Sequence, residues 1–283
     1  MLRSRPRVLT FFRYRLHLIL CSLIALWSWP RYLGVRIDGV DFVVVPLVVF
    51  AVYQWNRLTD WREDAINCPA DLQSALRHRR LIIGGCIAAI AAVVAAAVSA
   101  GSPSSNLVLA IVCALGFLYS TTLVRGRPTL RLKSVFLVKN VASAAGWSLL
   151  TVIYPFLHGV QSVDRRMWLA FAAMFTGVFS SEVIWDVRDV QGDRAGGVGS
   201  LPARCGSAAA RLAVDLVNAV FSAVVIGGVV LHAWSASWLF TLTNSLICVA
   251  AAQQLERVSQ RLGPHVLVLV QSILLLGLGF LRA

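Results

Sequence analysis

The chain has 283 residues, of which 58% are hydrophobic and only 14% charged, and its mean hydropathy is +0.74. Soluble domains carry about a quarter charged residues, so this composition excludes a soluble globular protein and indicates a polytopic membrane protein. The net charge of +13 does not indicate nucleic-acid binding, because the basic residues are scattered over short loops and form no basic face with interleaved aromatic residues.

Nine apolar segments, each about long enough to cross a bilayer as a helix, follow one another along the chain. They cover residues 14–33, 40–59, 81–100, 106–123, 135–157, 167–187, 209–231, 235–252 and 265–282. We therefore predict an all-α polytopic membrane protein in which residues 1–283 form a single transmembrane domain. Residues 1–13 are rich in arginine, and no small-residue cleavage site follows the first apolar segment, so we predict a retained basic cytoplasmic leader.

Lysine and arginine are unevenly distributed between the loops. Alternate loops, beginning with the N-terminus, hold 21 of the 26, whereas the intervening loops and the C-terminus hold 5. Because cytoplasmic loops are enriched in Lys and Arg, we predict a cytoplasmic N-terminus and a C-terminus on the opposite side. The loops at 60–80 and 188–211 are then both cytoplasmic.

The first of two acidic stretches stands at the end of the second apolar segment. Asn56, Asp60 and Asp64 recur every four residues and share one face of a helix, with Glu63 beside them. Carboxylate and amide oxygens are ligands for hard cations such as Mg²⁺, commonly together with a phosphate. A solvated helix end is the alternative for this stretch alone, although acidic groups at the mouth of a membrane helix usually mark a site.

The second acidic stretch follows the sixth apolar segment. Asp186, Asp189 and Asp193 lie at i, i+3 and i+7 on one helical stripe, and Glu182 lies one turn earlier. Nine of the 13 acidic residues fall in or near the two stretches, which favours one shared cation site. Each stretch is followed by a loop of about twenty residues, a pattern that indicates two duplicated four-helix halves with a ninth helix closing the ring.

The two stretches resemble the signature motifs of the UbiA superfamily of intramembrane prenyltransferases, which includes UbiA-type terpene cyclases. The first family motif, NDxxDxxxD, is matched at Asn56, Asp60 and Asp64. The second, DxRDxxGDxxxGxxTLP, is similar to the segment from Asp186 to Pro202. Weaker similarity at 119–120, 130–133, 139–140 and 146–147 extends the resemblance over nearly the whole chain, and it implies a UbiA-like ring of about nine transmembrane helices.

Three positions depart from the family pattern. Arg57 stands where the first motif usually has Asp, and residues 68–76 replace a stretch usually rich in Arg and Pro. Leu123 occupies a position where many members have Lys, and Lys133 is a candidate replacement after an insertion. These departures leave the substrate and the reaction open.

The resemblance also implies roles for individual residues, with Mg²⁺ as the cofactor. It implies catalytic roles for Asp60, Asp64, Asp189 and Asp193. The implied metal ligands are Asn56, Asp60, Asp64, Asp186, Asp189 and Asp193. The candidates for binding the diphosphate are Lys133, Lys139, Arg194, Tyr119 and Arg57. For Arg57 a structural pairing with Glu63 or Glu182 is the alternative.

The resemblance implies an enzyme that transfers an isoprenyl group from its diphosphate to an acceptor, with release of pyrophosphate. The acceptor expected from it is an aromatic, quinone-like or lipid molecule. A terpene cyclase, in which the ionised isoprenyl chain attacks its own double bond, is the alternative. A transporter or ion-binding protein is a third interpretation, but its charges would typically lie nearer the bilayer midplane. We expect an integral protein of the bacterial inner membrane that contacts lipid, binds no nucleic acid and has its active site on the cytoplasmic side.

Overall fold

A computed structural model describes residues 11–121, 131–159, 164–259 and 263–281 of the chain. Within these ranges the regular structure is entirely helical, as predicted. The described α-helices are α1 Leu16–Leu33, α2 Asp41–Thr59, α3 Trp61–Asn67, α4 Pro69–Arg77, α5 Arg79–Ala100, α6 Pro103–Ser120, α7 Val138–Ser148, α8 Tyr154–Gly159, α9 Arg165–Gly196, α10 Leu201–Val230, α11 Leu242–Gln253, α12 Leu255–Val258 and α13 Gly263–Leu278. Two 3₁₀ segments, Leu132–Ser134 and Ala236–Thr241, and a π-helical segment, Leu149–Ile153, complete it.

Eight helices of the described chain are long and apolar enough to cross a membrane. The fifth of them runs continuously from α7 through the π-helical segment into α8, and the eighth combines the second 3₁₀ segment with α11. The ninth predicted span corresponds to α13, which is apolar but has only 16 residues. The prediction of nine spans therefore holds for the number of apolar helices, while the last one is shorter than expected.

The spanning helices form a closed ring. Starting from α1, successive neighbours in contact are α2, α6, α7, α9, α10, α11 and α13, and α5 packs against the outside of α2. The ring closes where α13 packs along α1, and there the buried His17 and His265 are hydrogen-bonded, with Nε2 and Nδ1 2.9 Å apart. A large apolar core lies between the helices and includes Tyr32 and Trp238, whose ring centroids are 4.9 Å apart. The helices of the ring also surround a cavity that both acidic stretches line.

The structure corrects the sequence prediction around the first acidic stretch. Helix α2 ends at Thr59, and Asp60 adopts φ −90° and ψ 21° before α3 begins at Trp61. Asp60 N still donates to Asn56 O (2.8 Å), and Asp64 N donates to Asp60 O (3.0 Å). The single helical face predicted for this stretch is therefore bent at Asp60, because α3 turns across the mouth of the ring.

The predicted loop at 188–211 is also largely helical. Helix α9 has 32 residues and continues through the second acidic stretch to Gly196. Gly197 ends it in the left-handed conformation, φ 69°, which glycine adopts without steric cost, and α10 begins at Leu201 with Pro202 in its first turn. Helix α10 bends at Gly206, φ 85°. Two helices joined by a short turn therefore replace the twenty-residue loop, and Asp186, Asp189 and Asp193 all lie on α9.

Two sequence predictions fall outside the described ranges in part. Of the basic leader, residues 1–10 lie outside them, whereas Arg13 forms an ion pair with Asp71 (Nε to Oδ1 3.0 Å). Leu123, one of the departures from the family pattern, also lies outside the described residues.

Candidate active site

One cavity of about 310 Å³ opens between the helices of the ring. Its polar end is lined by the acidic residues of both stretches and by Lys133 and Lys139. Its deeper part is lined mainly by apolar and aromatic side chains, among them Trp29, Val48 and Leu150. A long molecule with an anionic head and a hydrocarbon tail matches this division between polar and apolar walls.

The first acidic stretch contributes three oxygen-bearing side chains to the cavity. Asn56 Oδ1 accepts a hydrogen bond from Ser120 Oγ (2.7 Å), which fixes the amide. Asp60 Oδ1 lies 2.6 Å from Lys133 Nζ. Burial, and then the neighbouring Asp60 carboxylate, raises the pKa of Asp64 to about 6, while a hydrogen bond from Cys68 Sγ partly offsets this. Asp60 is thus paired with Lys133, whereas Asp64 forms no ion pair in the described chain, which suits a ligand of a bound cation.

The second acidic stretch faces the first from α9. Lys139 Nζ lies 2.6 Å from Asp186 Oδ1 and 2.9 Å from Asp193 Oδ2, so one ammonium bridges two carboxylates almost two turns apart. Asn140 Nδ2 donates to Asp186 Oδ2 (2.8 Å). Asp189 is paired instead with Arg188, through Nε (2.7 Å) and Nη2 (2.8 Å). The helical stripe predicted from the spacing thus points into the cavity, and all three aspartates line it.

Asn67 joins the two stretches directly. Its Nδ2 donates to Asp189 O (3.2 Å), and its Oδ1 accepts from Gly192 N (3.0 Å), so a single amide clamps the backbone of α9. A Cβ on Gly192 would lie 2.3 Å from Asn67 Nδ2, which means that only glycine fits there without displacement. The glycine of the second motif therefore permits contact between the two helices that carry the acidic residues.

A buried ion pair provides a second junction. Arg131 Nη2 donates both to Glu63 Oε1 (2.7 Å) and to Gly196 O (2.7 Å), and the guanidinium and the carboxylate are almost fully buried. A Cβ on Gly196 would lie 2.5 Å from Glu63 Oε1. Through its ion pair with Arg131, Glu63 therefore joins α3 to α9 and to the segment that begins at residue 131.

Lys133 is positioned by backbone contacts of the short segment before α7. Gly199 N donates to Lys133 O (3.0 Å), and Leu137 N donates to Gly199 O (3.2 Å). A Cβ on Gly199 would lie 2.7 Å from Ser134 O, so the close approach depends on glycine. Through these contacts the turn between α9 and α10 fixes Lys133 at the polar end of the cavity.

The structure separates the five predicted diphosphate-binding residues into two groups. Lys133, Lys139 and Tyr119 line the cavity. Arg57 also borders it, but its Nη2 donates to Asp71 O (2.8 Å) and its Nη1 to Arg13 O, and neither Glu63 nor Glu182 forms an ion pair with it in the described chain. Arg194 is exposed, and its Nε donates to Ala203 O (3.0 Å).

Sequence reasoning assigned no role to Arg131, Asn67 or Arg15. Arg131 and Asn67 make the contacts that join the two motifs, and Arg15 lies over the ring of Trp185 at 4.8 Å and lines the cavity. Asn67 follows the first motif by three residues, and this spacing is the one sequence feature that indicates a role for it. No sequence feature indicates a role for Arg131 or Arg15, because the enrichment of cytoplasmic loops in basic residues explains both arginines equally well.

The oxygen donors suit Mg²⁺ bound together with a phosphate group. Within the described residues no three acidic, histidine or cysteine side chains are gathered closely enough to hold a metal ion alone. Mg²⁺ is commonly held by one or two carboxylates plus phosphate oxygens and water, so two separated carboxylate groups facing one cavity fit this mode. Glu63 Oε2, which is buried and has no hydrogen-bond partner within the described ranges, is a further oxygen at the same end. The donor set therefore fits a cation whose remaining ligands come from a bound diphosphate.

Comparison with known proteins identifies the family. The model of the UbiA prenyltransferase family matches residues 16–271, which include both acidic stretches and most of the residues that line the cavity. The chain belongs to the UbiA prenyltransferase family. A comparison with curated proteins gives no significant match.

Solved structures of UbiA homologues share the fold. A UbiA homologue from Archaeoglobus fulgidus bound to GPP and Mg²⁺ is 17% identical, with a TM-score of 0.69 over 95% of this chain and 98% of that one. The apo structure of a UbiA homologue from Aeropyrum pernix K1 is also 17% identical, with a TM-score of 0.64 over 92% and 96% of the two chains. A structure described as digeranylgeranylglyceryl phosphate synthase is 15% identical, with a TM-score of 0.59 over 95% and 96%. At these identities the similarity establishes the fold alone. The family match and the eight apolar helices of the described chain together indicate an integral membrane protein.

Proposed function

We propose that this UbiA family member is a Mg²⁺-dependent intramembrane prenyltransferase that moves an isoprenyl group from its diphosphate to an acceptor. The observation that carries the proposal is the single cavity in which Asp60 and Asp64 face Asp186, Asp189 and Asp193 above an apolar interior. The homologue bound to GPP and Mg²⁺ supports the same class of donor and cofactor here.

The residues at the polar end would bind and activate the diphosphate. The implied ligands Asn56, Asp60, Asp64, Asp186, Asp189 and Asp193 would hold Mg²⁺, which when bound neutralises charge on the diphosphate as the allylic C–O bond breaks. Lys133 and Lys139 neutralise the carboxylates in the structure and lie where each ammonium can donate to diphosphate oxygens instead. Tyr119 offers a hydroxyl at the same end.

The apolar interior would hold the isoprenyl chain and keep water away from the developing cation. Helix α9 lines the cavity from Asp186 back to Ala173, thirteen residues or about 20 Å at 1.5 Å per residue, so the space is long enough for an extended chain. The aromatic side chains Trp29, Tyr53, Trp147 and Phe240 also line it, and aromatic faces stabilise cations without attacking them.

A terpene cyclase is the second candidate, and these aromatic walls are the observation that favours it. Cyclisation needs the same ionisation but retains the cation in the cavity until it closes on its own double bond. Transfer is favoured by the polar side chains at mid-depth of the cavity, which a hydrocarbon cation alone would not need; Ser143, Ser181, Glu182, Asn244 and Gln271 are among them.

We also propose that the protein resides in the bacterial inner membrane with this site on the cytoplasmic side. The uneven distribution of Lys and Arg between alternating loops supports this orientation. Residues 1–283 would act as one transmembrane domain, since the ring of helices is closed by α1 and α13.

The experiment that tests the function uses purified protein, Mg²⁺ and each of the C10, C15 and C20 isoprenyl diphosphates, with and without aromatic, quinone-like and lipid acceptors. Products are identified by mass spectrometry and gas chromatography. Prenyl transfer predicts pyrophosphate release that depends on an acceptor. Efficient formation of a cyclic terpene from a donor alone would establish the cyclase instead.

A further inference from the structure

Two carboxylates that line the cavity, Asp64 and Glu182, form no ion pair in the described part of the chain. Asp64 belongs to the first acidic stretch and accepts a hydrogen bond from Cys68 Sγ, whereas Glu182 lies outside the predicted metal ligands. Glu182 Oε1 accepts one hydrogen bond, from Ser143 Oγ (2.7 Å). The other carboxylates of the cavity each form an ion pair with Lys or Arg; they are Asp60, Glu63, Asp186, Asp189 and Asp193. An ionisable side chain inside a membrane protein without a charged partner is a candidate functional group.

The position of Glu182 separates it from the diphosphate-binding end. It precedes Asp186 by four residues on α9, so it lies one helical turn, or about 6 Å, deeper in the cavity on the same face. The diphosphate is expected at Asp186 and beyond it toward Asp193. Glu182 therefore lies at the depth where the first carbon of the isoprenyl chain and the atom that attacks it would meet.

Neighbouring side chains fix Glu182 and leave the cavity in front of it open. Ser143 and Trp147 are four residues apart on α7 and share one face, and Trp147 Nε1 donates to the Tyr53 hydroxyl (2.9 Å). The hydrogen bond between the indole and the phenol thus stabilises the face of α7 on which Ser143 donates to the Glu182 carboxylate. A carboxylate oriented in this way is arranged as a proton acceptor.

Neutral hydrogen-bonding groups line the adjacent part of the cavity. Ser181 Oγ donates to Gln271 Oε1 (2.6 Å), and Asn244 approaches α9 at Gly177, where a Cβ would lie 2.5 Å from Asn244 Nδ2. Asn244 Oδ1 is buried and has no hydrogen-bond partner in the described chain. Both amides line the cavity. Gln271 Nε2 already donates to Gly177 O (3.4 Å) and Cys248 Sγ (3.2 Å), so a polar molecule placed there would find the Asn244 amide and the second lone pair of Gln271 Oε1.

We propose that Glu182 is the general base of the transfer reaction and that Asn244 and Gln271 bind an uncharged, hydroxylated acceptor beside it. This inference rests on the proposed prenyl transfer. In the step, the acceptor oxygen or ring carbon forms a bond to the first carbon of the isoprenyl chain. The allylic C–O bond breaks with its electron pair leaving on pyrophosphate, and the proton lost by the acceptor passes to Glu182 Oε.

The charge of Glu182 also selects the acceptor. An acceptor that carries a carboxylate would lie beside an unpaired glutamate and two neutral amides, so like-charge repulsion would disfavour it. A phenol or quinol without an ionised substituent avoids this repulsion and still forms hydrogen bonds with Asn244 and Gln271. The acceptor is therefore expected to be neutral until its hydroxyl or ring proton is removed.

The test uses purified full-length protein with Mg²⁺ and whichever of the C10, C15 and C20 diphosphates the wild type binds most tightly. The acceptor probes are a phenol carrying a carboxylate, the methyl ester of the same phenol, and a fluorinated, more acidic form of that ester. The variants are Glu182→Gln, Glu182→Asp and, as a matched control, Asp215→Asn, a carboxylate outside the cavity that is bonded to Gln253. Donor affinity and prenylated product are measured separately.

We expect the wild type to prenylate the ester in preference to the carboxylate. Glu182→Gln should lower product formation about 100-fold or more while leaving donor affinity unchanged, since general bases contribute 10²–10⁴-fold. Glu182→Asp should retain part of the activity, and Asp215→Asn all of it. Because a more acidic acceptor needs less help from a base, the loss in Glu182→Gln should be smaller with the fluorinated ester, an effect that a purely structural role would not produce.

Several results would overturn the inference. They are full transfer by Glu182→Gln, an equal loss of donor binding and transfer in that variant, a preference for the carboxylated phenol, and no transfer to any of the phenols by a wild type that binds donor. A wild-type protein that binds no isoprenyl diphosphate in Mg²⁺ would instead refute the proposed function itself. The donor-binding measurement keeps these two failures apart.

Discussion

At the scale of single residues, the negative charges at the polar end of the cavity must be neutralised whether or not a cation is bound. Asp186 and Asp193 are buried, and the Lys139 ammonium forms ion pairs with both carboxylates. A buried carboxylate that loses its partner is strongly destabilising, whereas a bound cation can replace the partner. The lysines therefore keep the acidic site folded when it contains no divalent cation.

Removing this compensation should make folding depend on Mg²⁺. We expect Lys139→Met to lower the stability of the metal-free protein by about 3–5 kcal/mol, the usual cost of breaking a buried pair, and Mg²⁺ to restore more stability to this variant than to the wild type. Thermal unfolding in detergent, with EDTA or with Mg²⁺, measures both effects.

Arg166→Met serves as the control for this variant. Its partner Asp164 lies 2.5 Å away in an exposed pair, and exposed pairs contribute about 0–1 kcal/mol. A Lys139→Met protein as stable as the wild type in EDTA would show that Lys139 does not neutralise the aspartates.

At the scale of secondary-structure elements, the geometry of the candidate site depends on how closely α3 approaches α9. Asn67 clamps the α9 backbone at Gly192, and Glu63 packs against Gly196, both at distances that exclude a methyl group. These contacts set the separation of the two acidic groups. A small shift of α3 would therefore change the space available to the diphosphate.

Gly196→Ala and Gly192→Ala should each separate the two acidic stretches. We expect a loss of stability of about 1–3 kcal/mol from overpacking and a larger fall in donor affinity, while the protein still inserts into the membrane. Gly227→Ala on α10, where a Cβ meets nothing within 4 Å, should leave donor affinity unchanged. Donor binding and unfolding of the three variants test this, and an unaltered Gly196→Ala protein would contradict it.

Many features of these elements could be predicted from the sequence, because each depends on local periodicity. The spacing of Asp186, Asp189 and Asp193 predicted a shared helical stripe, and all three line the cavity. The bend at Asp60 and the continuation of the helix beyond Asp193 to Gly196 were not predicted. The spacing of Asn56, Asp60 and Asp64 predicts one unbroken helical face, and the polar segment 188–211 favours a loop. Contacts between residues more than one hundred positions apart, such as that of Asn67 with Gly192, position these segments instead.

The candidate site could be predicted only in part, because some of its contacts join residues that are far apart in the sequence. Asn56 and the aspartates belong to motifs whose spacing is visible within a short stretch of sequence. Arg131 and Glu63 lie 68 positions apart, and nothing in either local sequence indicates that they pair. The orientation of the Arg57 guanidinium likewise depends on its hydrogen bonds to the backbone oxygens of Asp71 and Arg13, which no side-chain pattern predicts.

At the scale of the whole molecule, both acidic stretches must lie on one side of the membrane. Single cysteines introduced into a cysteine-free background at Gln73, Ser207, Ser104 and Ser235 test this, because all four positions are exposed. We expect an impermeant thiol reagent to label the first two from the cytoplasmic side and the last two from the other side. Labelling of positions 73 and 207 from opposite sides would exclude one shared site.

The central claim is that the two acidic stretches form one Mg²⁺-dependent site for an isoprenyl diphosphate. The most direct measurement is the binding of a non-reactive isoprenyl thiolodiphosphate to the purified protein in Mg²⁺ and in EDTA. It is made for the wild type and for Asp60→Asn and Asp193→Asn, one variant from each stretch. We predict saturable binding by the wild type in Mg²⁺, none in EDTA, and severe loss in both variants. Undiminished binding in EDTA, or wild-type affinity in either variant, would contradict the account.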